Sequence, residues 1–426
     1  MSAFDVWRVP VAQWTLMQLV TAMAVGLTPS RSRLRPAVAA VVVALACGFQ
    51  REITGGAIDV RVAGPMMASC WLNVLNKMDL LVLSRISYDG QVEWEKRAGV
   101  KATRSGSLVA RILWALGTAF NYRRVNTPWQ VRMLPRFGGQ GMEDGPERGR
   151  FVLVGVGKVV LGVVLLALFT VDTTDPNLLP AIEALPRDES VLLPWVYAAS
   201  MKRAVLQIAF TISFGICCRA FILAGYNIGA ITAVGLGIHH PSAWPPIAGS
   251  LFEGWSLRRL WGYVHHFCLS KPARLEEANL LYRISWHQTL RPLLSANADM
   301  ITSSILRIPR ASRWAVYLRL VIAFMLSGLF HSGIDLTFGI AWEDSGALWF
   351  FTMQAVGILV ESAFQHAFRR WVGALSPVVR RALGFLWVCV FLLWTAPVWM
   401  DPMVRSVYVD GTPVFSPFLM FRSWPV

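Results

Sequence analysis

What most constrains this chain is a set of apolar blocks as long as a bilayer is thick. Phe151–Val171 is the clearest: its 21 residues carry one charge, Lys158, and at ~1.5 Å per residue they cover the ~30 Å hydrocarbon core. Backbone groups facing lipid must find hydrogen bonds within their own segment, so blocks of this kind are helices. The other candidates are Val11–Thr28, Pro36–Phe49, Val62–Leu83, Ala204 to about Ile238, Trp314–Phe338, Leu348–Phe364 and Ala382–Met400. The expectation is an all-α polytopic membrane protein with about eight transmembrane helices, forming a single integral-membrane domain over residues 1–426. Leu108–Phe120 is apolar but too short to span and reads as an interfacial or re-entrant helix. A hydrophobic content of 55%, with only 15% charged residues, excludes an ordinary soluble enzyme.

The net charge of +15 is not spread evenly. Arg31, Arg33 and Arg35 follow the first block, and Arg85–Arg150 holds twelve Lys/Arg against six Asp/Glu. Arg369, Arg370, Arg380 and Arg381 mark a third basic turn, whereas Asp172–Glu189 is acidic. Eight crossings put every strongly basic loop on one face, the positive-inside pattern of cytoplasmic loops. Basicity gathered this way speaks for a bilayer as partner and against nucleic acid. Two blocks are irregular. Val62–Leu83 carries Asn73, Asn76, Lys77 and Asp79; it either faces other helices or a cavity, or it snorkels a Lys77/Asp79 pair to the interface. Ala204–Ile238 exceeds one span, which predicts an interfacial helix or a kink at Gly225. The six cysteines lack metal or disulfide spacing and read as small core residues. His239 and His240 read as a loop pair, and Gly138–Gly141 as a flexible loop.

The most unusual residue is His331, in Ser327-Gly328-Leu329-Phe330-His331-Ser332-Gly333. An imidazole deep in an apolar span is costly, so it is either a functional group or a core histidine with its hydrogen bonds met. As a function, we expect the base of an acyl transfer, because a neutral imidazole can take the proton of an attacking hydroxyl. At 17 residues from Trp314, it would lie ~25 Å along its helix from the cytoplasmic side. Two aromatic and basic runs precede it: Trp255-Ser256-Leu257-Arg258-Arg259-Leu260-Trp261-Gly262 and Ser285-Trp286-His287-Gln288-Thr289-Leu290-Arg291. This mixture suits an interfacial helix, or a surface that receives the phosphates of a nucleotide-like donor. His287 reads either as a second polar group of the site or as an interfacial cap.

Taken in order, Arg123-Arg124 with Asn126-Thr127-Pro128-Trp129-Gln130-Val131, then Trp244-Pro245-Pro246-Ile247-Ala248-Gly249-Ser250, the Trp255 run, Trp286-His287-Gln288 and Ser327–His331 resemble the wax synthase-like branch of the membrane-bound O-acyltransferases. The likeness is greatest to fungal members that acetylate terpenoid and meroterpenoid alcohols, and it covers roughly residues 120–335. It implies an acetyltransferase using acetyl-CoA as co-substrate, with no permanently bound cofactor or metal, and a hydrophobic alcohol as acceptor. The catalytic residues would be His331 and His287, with Arg258, Arg259, Trp261, Trp286, Gln288 and Arg291 on the donor. The main motifs fall in residues 239–335, and the endoplasmic reticulum is the expected membrane. A long-chain wax synthase is the alternative within this chemistry, and a transporter or scaffold the alternative outside it. In one departure, relatives run from Leu-Trp-Gly almost directly into Trp-His-Gln, whereas Tyr263–Arg283 intervenes here. Compatible codons and a preserved frame allow this segment to be a translated, unspliced intron, in which case His265 and His266 are not catalytic.

Overall fold

The structure is a computed structural model that describes residues 3–55, 58, 60–99, 106–131, 134, 137, 145–170, 201–247, 251–261 and 289–409. Its helices in chain order are α1 (Ala3–Leu27), α2 (Leu34–Thr54), α3 (Val60–Met78), α4 (Tyr88–Arg97), α5 (Leu108–Phe120), α6 (Arg148–Phe169), α7 (Met201–Gly235), α8 (Leu257–Leu260), α9 (Arg291–Met300), α10 (Arg313–Asp335), α11 (Ala347–Ala367), α12 (Arg369–Ala374), α13 (Pro377–Thr395) and α14 (Pro397–Val409). Among the described residues there is no strand, and seven helices are long and apolar enough to cross a membrane. The eighth candidate, Val62–Leu83, is helical as expected: α3 continues into a π turn over Asp79–Leu83. It is not among the seven apolar spans, and its polar residues are turned inward.

The chain divides into two compact units, residues 1–132 with 288–339 and residues 133–287 with 340–426. In the first, α1 and α2 form a hairpin whose core joins Met17, Val42 and Phe49 to Met67 of α3. Arg35, expected only as a topology charge, is buried. Its Nη1 donates to the Ile86 carbonyl at 2.7 Å and its Nη2 to the Thr28 carbonyl at 2.9 Å, tying the hairpin to the chain after α3. The short helix α5 packs on α1 where Gly26 leaves room; a Cβ there would sit 2.8 Å from the Arg111 carbonyl oxygen. One face of α5 is buried while Leu108, Val109 and Leu113 are exposed, which suits the interfacial reading.

The polar residues of α3 are buried, so the snorkelling alternative does not hold. Lys77 and Asn76 have no exposed surface and Asp79 only 3%. Lys77 Nζ donates to Asn73 Oδ1 at 2.8 Å. Asp79 meets Arg124, which lies 45 residues downstream, with Nη2 to Oδ2 at 3.1 Å, and Ser84 Oγ donates to its other oxygen at 2.6 Å. Arg124 also donates to Asn76 Oδ1 (2.6 Å) and to the Thr118 carbonyl at the end of α5 (3.0 Å). Burial pulls the guanidinium's pKa down, and the Asp79 charge opposes that pull. The residues of the Asn126–Val131 motif complete the turn: Thr127 Oγ1 donates to the Arg124 carbonyl, and Val131 N to the Arg123 carbonyl. Arg124 (φ 54°) and Asn126 (φ 61°) take left-handed backbone conformations, which asparagine tolerates and arginine adopts only when its contacts fix it.

Helix α10 runs antiparallel to α3. Gly64 abuts Phe338, where a Cβ would come within 2.8 Å of Cζ, and Gly333 faces Trp71. α10 starts on the Ser312 cap, whose Oγ accepts from Trp314 N, and passes through a 3-10 turn at Leu336–Phe338 to Gly339 at φ 74°.

In the second unit, α6 and α7 pair antiparallel through small residues, with Gly155 against Ile231 and Gly162 against Ala224. Their outer faces are apolar, Leu153 and Leu168 being more than 70% exposed, as suits lipid contact. α7 is one continuous helix of 35 residues, so no break sets a separate interfacial helix apart from the span. The last span begins earlier than expected, at Pro377, and ends at Thr395, because Pro397 cannot extend a helix and starts α14 instead. Cys70 and Cys217 are buried as core residues, whereas Cys47 and Cys389 lie on exposed faces.

Candidate active site

His331 sits in the last two turns of α10, partly buried and set among buried Ser327, Gly328, Ser332 and Gly333. Its Nδ1 lies 2.7 Å from the Ser327 carbonyl oxygen one turn earlier. A carbonyl only accepts, so Nδ1 carries the hydrogen, and in the neutral ring the lone pair is on Nε2. The ring stands edge-on to Phe330, with centroids 4.9 Å apart at 87°. The helix backbone and one aromatic neighbour therefore orient the imidazole and choose its tautomer.

The Trp255 run lies in the second unit and is more deeply embedded than an interfacial helix. Only Leu257–Leu260 is helical, and Leu257 has no exposed surface. Ser256 caps this turn, its Oγ accepting from Arg259 N at 3.1 Å. Arg259 lies over the Trp255 ring at 4.2 Å and pairs with Glu253 at 3.2 Å. Arg258 donates to Ser362 Oγ. Trp261 enters an aromatic cluster with Phe350, Phe351 and Trp399, and its Nε1 donates to Gln354 Oε1 at 3.2 Å. The buried Nε1–H of Trp255 meets no acceptor among the described residues.

Of the other residues expected at the site, Trp286, His287 and Gln288 lie outside the described residues, as does Tyr263–Arg283; Arg291 is described only as the first residue of α9. His239 and His240 are an exposed loop pair, His239 Nδ1 accepting the Trp244 Nε1–H at 3.1 Å. Sequence reasoning missed the residues on α11 that hold the Trp255 run: Gln354, fully buried, and Glu361, 8% exposed. Glu361 Oε2 accepts from Leu257 N at 2.8 Å and from Trp387 Nε1 at 3.3 Å. The available signal was their polarity within an apolar span, the same signal that marked His331.

Two glycines make the run's close packing possible. A Cβ on Gly357 would lie 2.7 Å from Leu257 Cδ1, and one on Gly384 would overlap the Trp255 carbonyl. The contact at Gly384 is with backbone, which cannot rotate away. Gly384→Val is therefore expected to lower stability by about 1–3 kcal/mol, read as a lower unfolding midpoint of the detergent-solubilised protein; a wild-type midpoint would show that the run does not pack there.

Comparison with known proteins agrees with this picture. The protein-family model for the Membrane bound O-acyl transferase family matches residues 281–353, a stretch containing Trp286–Gln288 and Ser327–Gly333. Among curated proteins, Acetyltransferase aurG from Calcarisporium arbuscula is 26% identical over 351 residues, covering 80% of this chain and 79% of that protein. Acetyltransferase ataH from Aspergillus terreus is 29% identical over 313 residues, or 72% of this chain and 94% of that one. Acetyltransferase eriL from Hericium erinaceus is 31% identical over 194 residues, 45% and 44% of the two chains. No solved structure matches. By class, this is a multi-pass membrane protein similar to the membrane-bound O-acyltransferases, and the findings support an acyltransferase. More narrowly, the relatives are fungal acetyltransferases, as the ordered motifs led us to expect.

Proposed function

We propose that this protein transfers an acetyl group from acetyl-CoA to a hydroxyl of a hydrophobic, terpenoid-like alcohol, with His331 as the general base. The observation that carries the reading is the Nδ1 hydrogen bond to the Ser327 carbonyl, which leaves the basic lone pair on Nε2. In the reaction, Nε2 takes the hydroxyl proton as the oxygen attacks the thioester carbonyl. The carbon–sulfur bond then breaks, and the leaving thiolate takes the proton back from the imidazolium, giving the ester and CoA–SH. A base placed this way contributes ~10²–10⁴-fold.

His287 is proposed as the second polar group of the reaction. Arg258, Arg259 and Trp261, with Trp286, Gln288 and Arg291, are proposed to hold the donor. The uncommitted donors of Arg258 and the unmet Trp255 N–H suit an acceptor-rich ligand such as a CoA phosphate. The names of the relatives support acetyl over a long chain as the transferred group. The proposed site of action is the endoplasmic reticulum membrane, with the nucleotide on the cytoplasmic side.

The test uses microsomes containing the protein, radiolabelled acetyl-CoA or palmitoyl-CoA, and a panel of terpenoid and long-chain alcohols. Label is expected in terpenoid esters from acetyl-CoA, clearly above microsomes lacking the chain. Label only from palmitoyl-CoA into fatty alcohols would replace the acetyltransferase with a wax synthase. Transfer to no alcohol from either donor would overturn the reading.

A further inference from the structure

Helix α11 carries a carboxylate that the proposed chemistry does not use. Glu361 lies in the membrane-spanning segment Ala347–Ala367, six residues before its basic, cytoplasmic end, or ~9 Å along the axis. A charged side chain at such a position is expensive and calls for a named partner. Besides Trp387 Nε1 of α13 at 3.3 Å and Gln365 Nε2 of its own helix at 3.4 Å, its shortest contact is to the Trp255 run. Oε2 accepts the backbone N–H of Leu257 at 2.8 Å, at the start of the turn that carries Arg258 and Arg259. The neighbouring Ser362 Oγ accepts from Arg258 Nη2. Seven residues back on α11, and so on the same face, Gln354 Oε1 accepts from Trp261 at the other end of the run. Gln354 is itself fixed, since its Nε2 donates to Thr395 Oγ1 at 3.0 Å.

The run has reason to need such a fastening. Its single helical turn cannot satisfy its own first N–H groups; Ser256 receives one and Glu361 another. Irregular backbone at membrane depth is tolerated only when protein satisfies it in this way. A glutamate suits this place because its two oxygens can accept several donors at once, the Leu257 N–H among them.

We propose that Glu361 is a positioning residue: it fixes the Trp255–Trp261 run to α11 and thereby aims Arg258 and Arg259 at the acyl donor. The second half of this statement rests on the reading that these arginines bind acyl-CoA.

Glu361→Ala, Glu361→Gln and Glu361→Asp are compared in microsomes with Arg258→Ala and Arg259→Ala. Two readouts are taken: separate KM values for acetyl-CoA and the alcohol, and the rate at which trypsin cuts after Arg258 and Arg259. Glu361→Ala is expected to raise KM for acetyl-CoA roughly ten- to hundredfold, leave KM for the alcohol unchanged, and speed cleavage. Glu361→Gln keeps an oxygen for the Leu257 N–H and is expected to recover most of the loss. Glu361→Asp keeps the carboxyl group but withdraws it by one methylene, and is expected to raise KM for acetyl-CoA even if the alanine variant does not accumulate. Wild-type KM for acetyl-CoA in Glu361→Asp or Glu361→Ala, while Arg258→Ala raises it, would overturn the proposal. So would equal changes in both KM values with a fall in protein level, the mark of a merely structural residue. If both arginine variants keep a wild-type KM for acetyl-CoA but Glu361→Ala still speeds cleavage, the donor-binding reading fails and the fastening stands.

Discussion

Replacing His331 with alanine is expected to lower acyl transfer by ~10²–10⁴-fold while leaving the protein in the membrane at its normal level. The side chain lies among small residues, and its Nδ1 donates to the Ser327 carbonyl of its own helix. The loss should fall on kcat, with KM for acetyl-CoA and alcohol nearly unchanged, because proton removal matters in the transition state and not in ground-state binding. His331→Gln separates the base from a mere hydrogen-bonding group: glutamine has an acceptor oxygen but cannot carry the proton, and is expected to be as inactive as alanine. Retained turnover in both variants would remove His331 from the chemistry. It would also return weight to the transporter or scaffold alternative, which has no use for a base.

The largest expected effect on stability is at Arg124. Arg124→Ala leaves Asp79 buried without its cation and Asn76 without its donor, and breaking a buried pair from one side costs about 3–5 kcal/mol. The unfolding midpoint of the solubilised protein should drop well below wild type, or the variant should fail to accumulate. The double change Arg124→Met with Asp79→Asn removes both charges and is expected to recover a substantial part of the loss, since an unpaired buried charge is then no longer present. If the single variant keeps the wild-type midpoint, the pair does not hold the unit together. If the double variant is no better than Arg124→Ala, the defect lies elsewhere, most plainly in the left-handed turn at Arg124.

The spans were legible because their length and apolarity follow from bilayer thickness, which acts on each helix separately. Ala204–Ile238 was legible as longer than one span, and packing along α6 carries α7 on as a single helix. Lys77 and Asp79 were ambiguous because a lysine beside an aspartate suggests a local pair, whereas the real partner of Asp79 stands 45 residues away, in a motif read as a family element and not as a contact of α3. Arg35 hid in the same way behind the topology rule. At the candidate site, His331 stood out as a polar residue in an apolar block. Glu361 and Gln354 carry the same signal, but their role depends on which backbone N–H and which indole reach them, and spacing does not encode that.

The Arg124–Asp79 pair also has a consequence for how the chain is made. α3 leaves the ribosome with Lys77 and Asp79 near its end, and such charges make inserting the helix on its own costlier. The arginine that neutralises Asp79 is synthesised only after α4 and α5. A nascent chain stalled before residue 124 should therefore leave α3 poorly integrated, open to alkaline extraction or to insertion chaperones, and a chain stalled well beyond it should hold α3 fast. The timing of translation, and not apolarity alone, then determines when this segment becomes part of the membrane.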